Sequence, residues 1–155
     1  MKLAIIIEGV QNSGKTSTIK YFVNQYQNRQ LKQLRSGWQN LFINPSLFST
    51  LRINPYIIPS SPSESNKLLS QRFLNWKGLP DIVILAEQQN GRHQVNTESF
   101  LRSNGYHIIK HLINNVSGNS DWERFDKSNE KIKLTNRSNQ IMFDITNFIK
   151  TNNII

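Results

Sequence analysis

The chain has 155 residues, no cysteine, 37% hydrophobic residues and a formal net charge of +9. That length suits a single domain over residues 1–155 with one core, the missing thiols exclude disulfides and thiolate metal sites, and no apolar stretch is long enough to cross a bilayer, so no membrane partner is expected. The basic excess is spread along the chain without a basic block, and reads first as a solvated surface and second as a nucleic-acid or polyphosphate footprint.

Residues 2–8 form a continuous apolar run, the pattern of a parallel strand covered on both faces. The run is too short for a signal peptide and ends on Glu8, which makes the cytoplasm the expected location. A glycine-rich loop follows. Residues 15 to about 28 then read as a helix, with Ile19, Phe22, Val23 and Tyr26 on one face. The stretch from 30 to 55 is irregular, with short strands expected near 32–35 and 40–43, and prolines at 45 and 55 interrupting it. Residues 56–60 read as a core strand that ends in a helix start: Ser61 as cap, Pro62 at the first helical position and Glu64 three residues after the cap. That helix is expected to run to about Trp76.

The clearest later strand is residues 81–86, with Glu87 at its C-terminal end. A short helix over 97–103 and a strand over 106–112 come next. Residues 114–127 read as a polar loop that becomes a helix, because Ser120 and Glu123 stand at capping-box spacing. The last helix is expected over 136–151, where Ile141, Met142, Ile145, Phe148 and Ile149 make an apolar stripe suited to core packing. Strands alternating with helices imply a parallel sheet with helices on both sides.

The loop Gly9-Val10-Gln11-Asn12-Ser13-Gly14-Lys15-Thr16 fits G-x-x-x-x-G-K-[ST] at every position. A phosphate cradle requires these residue types. Gly9 and Gly14 permit the dihedral angles and close approach that let backbone N–H groups turn inward. Lys15 brings a point charge to the outer phosphates, Thr16 offers a hydroxyl to Mg²⁺, and the helix that begins here adds its positive N-terminal end. Ser17 and Thr18 can donate to the inner phosphates. The null alternative, a glycine turn that binds nothing, is disfavoured by the strand before the loop and the amphipathic helix after it.

Residues 9–16 and the preceding strand resemble the Walker A motif of P-loop NTPases, and the whole chain is most similar to their small nucleoside- and nucleotide-kinase branch. The resemblance implies a three-layer α/β/α P-loop domain with a mainly parallel sheet of about five strands. It also implies an acidic residue at the end of a neighbouring core strand, which here falls on Glu87, as a metal ligand directly or through water, or as general base. No acidic residue precedes Glu87, which removes the paired carboxylates of motor ATPases, helicases and recombinases. No Asn-Lys-x-Asp is present to read guanine, so ATP is the expected nucleotide.

Small P-loop kinases close a cationic lid over the transferring group, and Arg124 is the catalytic candidate for that duty, with Arg92 and Lys127 beside it. Arg52 is a candidate ligand for an acceptor phosphate, in the region where such kinases dock the acceptor. His93, His107 and His111 form no metal pattern, and Trp38, Trp76 and Trp122 read as packing residues. The expected function is Mg-ATP binding with phosphoryl chemistry on an unidentified small-molecule acceptor, as a kinase or ATPase. The alternative is a nucleotide-dependent switch that hydrolyses ATP slowly and binds a protein or nucleic-acid partner.

Overall fold

The computed structural model describes residues 1–27, 30–44 and 48–152. Strand β1 (Lys2–Gly9) enters the loop, and helix α1 (Lys15–Gln27) leaves it. Then come β2 (Gly37–Trp38), β3 (Leu41–Asn44), β4 (Phe48–Ile53) and β5 (Tyr56–Ile58). Two one-turn helices follow, α2 (Pro62–Ser65) and α3 (Leu69–Arg72), before β6 (Ile82–Gln88), α4 (Gln94–Ser103) and β7 (Tyr106–Leu112). The chain closes with β8 (Asn114–Ser117), β9 (Glu123–Arg124) and α5 (Glu130–Thr151).

The main sheet has the order β2-β5-β6-β1-β7. All its pairings are parallel except that of β2 with β5. The protein is therefore an α/β domain on a mixed, mostly parallel sheet. β1 lies between β6 and β7, and its residues 3–7 are wholly buried because both faces are covered. Leu3, Ile5 and Ile7 pack with α1 and α5. Ala4 and Ile6 pack with Leu69, Phe73 and Leu101 on the opposite side. Among the described residues no helix is long and apolar enough to cross a membrane.

Four local expectations are corrected. No strand forms at 32–35; the short strand lies at Gly37–Trp38 and pairs antiparallel at the sheet edge. The helix expected from Ser61 to Trp76 is two pieces. Ser61 does cap it, its Oγ accepting from the Glu64 N–H at 3.1 Å. Asn66 then takes a left-handed φ of 54° and closes the first piece, a conformation asparagine tolerates better than most residues.

Residues 114–124 form the small β8–β9 pair instead of a helix. Glu123 Oε1 does accept from the Ser120 N–H at 2.9 Å, as the spacing predicts. The carbonyls a helix would use are already taken: Arg137 donates to those of Asp121 and Glu123, and Lys133 to those of Gly118 and Arg124. The last helix starts at Glu130, not 136, because Lys133 and Arg137 occupy inward positions where apolar residues would have marked the face. Asn28, the expected end of the first helix, lies outside the described residues.

Candidate functional site

The loop between β1 and α1 is shaped by two backbone features. Asn12 has φ 62° and Gly14 φ 99°, both in the left-handed region. The Ser13 N–H returns to the Val10 carbonyl at 3.2 Å. A Cβ at Gly9 would collide with Ser13 Oγ, and one at Gly14 would stand 3.0 Å from the Phe125 ring. Each glycine is thus required by a close approach as well as by its motif position. Ser13 Oγ is buried with no hydrogen-bond partner among the described residues.

Residues 11–17 line a cavity of about 510 Å³, with Glu64, Arg124 and Phe125 on its far walls. The first amides of α1 face this space without intrahelical partners, as at every helix start. The Lys15 ammonium is 4% exposed, donates to the Val10 carbonyl at 2.8 Å and lies 3.2 Å from Glu64 Oε1. Thr16 Oγ1 donates to the Pro59 carbonyl at 2.9 Å, tying the loop to the turn after β5. Arg124 reaches the loop from β9, with Nη2 donating to the Asn12 carbonyl at 3.0 Å and Nη1 to Asn115 Oδ1 at 2.7 Å.

Of the residues singled out in the sequence, Gln11, Asn12, Ser13, Gly14, Lys15, Thr16, Ser17 and Arg124 come together around this cavity. Thr18 does not. It is fully buried, and its Oγ1 donates to the Gly14 carbonyl at 2.7 Å and accepts from Arg137 Nη1 at 2.9 Å. Arg92 bonds Asn66 Oδ1 at 2.6 Å, Arg52 lies over the Phe42 ring and Lys127 is exposed, so none of the three lines the cavity. Trp38 and Trp76 stack on each other, and Trp122 stacks on His111.

Glu87 is not a wall of the cavity either. It stands beside Glu8 in register and continues the inward row of Val83 and Leu85, which faces away from α1. The side chain is fully buried, and among the described residues neither carboxylate oxygen has a hydrogen-bond partner. Burial pushes its pKa up to about 7. Thr97 and the Gln88 backbone oppose the shift, but the Thr97 hydroxyl is spent on the His93 carbonyl at 3.0 Å; the Glu8 and Glu98 carboxylates add to it. Lys110 bridges Glu8 at 3.3 Å and Glu98 at 3.0 Å. Burial works against its charge, and those two partners outweigh it and hold the ammonium above its ordinary value.

Two residues of the site had no signal in the sequence. Arg137 is wholly buried behind the loop; a Cβ at Gly14 would lie 3.6 Å from its Nη1. Burial lowers its pKa to about 10, partly offset by Asp121. Its guanidinium also lies over the rings of Trp122 and Phe125. Glu64 reads in the sequence only as part of a helix cap, whereas its side chain turns to Lys15.

Comparison with protein-family models, with curated proteins and with solved structures gives no match.

Proposed function

We propose that the protein is a P-loop domain that binds Mg-ATP at residues 9–17 and carries out phosphoryl chemistry, as a small-molecule kinase or ATPase. The observation that carries this reading is the cavity itself. A complete glycine-lysine loop lines it, with left-handed residues at 12 and 14, a buried lysine at its floor and an arginine brought from β9 to its wall. The donor chemistry fits a polyphosphate: the unpartnered Ser13 hydroxyl, the free amides at the start of α1, and two cations. The Thr16 hydroxyl is a hard oxygen donor of the kind Mg²⁺ takes, and that ion would neutralise charge on the phosphates.

In this reading Lys15 leaves the Val10 carbonyl to contact the outer phosphates, and Arg124 stabilises charge that builds on the transferring group. The switch alternative would need an exposed partner face. The stripe on α5 that could have met a partner is core: Ile141, Met142, Ile145, Phe148 and Ile149 are all buried. The +9 charge remains compatible with it.

The test is ADP release from Mg-ATP across a panel of nucleosides, nucleotides and other small acceptors. Stimulation by one acceptor supports a kinase, and steady release without any acceptor an ATPase. Lys15→Ala should abolish either. No release under any condition, with nucleotide-dependent capture of a partner, would move the reading to the switch.

A further inference from the structure

Lys15 is buried against a carboxylate of its own chain. Glu64 Oε1 is 3.2 Å from its ammonium, and Glu64 is the one carboxylate among the residues lining the cavity. Its position is set by structure on both sides. The Ser61 cap fixes the turn of α2 that carries it, and the Thr16-to-Pro59 hydrogen bond ties that segment to the loop. A phosphate that recruits Lys15 would leave Glu64 facing phosphate oxygens across a half-buried cleft. Two like charges sharing one cleft repel strongly enough to change an affinity, even after solvent screening.

We propose that Glu64 is the acidic group of the phosphate cavity, and that it makes the cavity select phosphate carrying a divalent cation over free phosphate. The proposal rests on the phosphate-binding reading above. Glu87, the acid expected from the sequence, is buried on the face turned away from α1 and is not among the residues lining the cavity. A cation between Glu64 and the phosphate turns repulsion into attraction, and the Thr16 hydroxyl on the adjoining wall supplies a second hard oxygen. Among the described residues no three His, Asp or Glu side chains group closely enough to hold a metal by themselves. The ion would therefore arrive with oxygens of the phosphate, which makes metal and phosphate binding interdependent.

The experiment measures ATP affinity in Mg²⁺ and in EDTA, by displacement of a fluorescent nucleotide, for the wild type, Glu64→Gln, Glu64→Ala and Lys15→Ala. The alanine variant covers the case in which a glutamine amide perturbs the loop. The wild type should gain about tenfold or more from Mg²⁺. Both Glu64 variants should bind metal-free ATP about tenfold more tightly than the wild type and lose most of the Mg²⁺ gain. Equal Mg²⁺ gain in the wild type and both variants, or no Mg²⁺ gain in the wild type, overturns the role of Glu64 while leaving phosphate binding intact. Absence of ATP binding to the wild type in both buffers overturns the phosphate reading itself. Loss of binding in Lys15→Ala alone separates the two.

Discussion

At Gly14 the backbone angle and the Phe125 ring set the same requirement. A side chain there would meet both a φ of 99° and a ring carbon at 3.0 Å. Gly14→Ala should therefore cost about 1–2 kcal/mol in a urea titration and weaken phosphate binding as the loop opens; a variant as stable as the wild type would mean that Phe125 yields freely. Glu87 makes a different prediction at this scale. Its folded pKa is about 7, raised from 4.5, so the native state prefers the neutral acid. That preference is complete below the unfolded value and is lost as pH rises through the folded one. Wild-type stability should fall by on the order of 2–3 kcal/mol between pH 4.5 and 8 from this group, and Glu87→Gln should remove most of the fall. Denaturant titrations at pH 5 and pH 8 measure it, and parallel losses in both proteins would contradict it.

Among the elements, the two cations of α5 govern the segment before it. Arg137 and Lys133 hold the carbonyls of residues 118–124 from a helix packed against α1. Arg137→Met keeps much of the side-chain volume and removes the guanidinium that donates to the Asp121 and Glu123 carbonyls and to Thr18. It should cost about 2–4 kcal/mol, and hydrogen exchange should show the β8–β9 pair loosening while β1 stays protected. This pairing also explains what the sequence did and did not reveal. Strands β1 and β6 were legible because uninterrupted apolar runs need only local reading. The glycine-lysine loop was legible because its two glycines and lysine fall within seven consecutive residues. The first turns of α5 were hidden because cations stand at inward positions. The β8–β9 segment was misread because a correct capping spacing was outweighed by side chains of a later helix. The face that Glu87 occupies was not legible because the strand end fixes how high a residue sits, while the alternation of Val83, Leu85 and Glu87 fixes which way it points.

Over the whole molecule, the order β2-β5-β6-β1-β7 brings one end of β1 and the start of α1 together with α2 and β9, so residues far apart in sequence wall a single cavity. A ligand bound there touches α1, α2, β9 and the loop after β1, and should stabilise the entire domain by linkage. The most direct measurement is the melting temperature with and without Mg-ATP, for the wild type and Lys15→Ala. At about a hundred times the dissociation constant the ligand adds about 2.7 kcal/mol, which for a domain of this size raises the wild-type melting temperature by roughly 5–10 °C. Lys15→Ala should show little or no rise. A wild type that Mg-ATP and other nucleoside triphosphates leave unshifted, or a Lys15→Ala protein that shifts as far as the wild type, would contradict the phosphate cavity at residues 9–17.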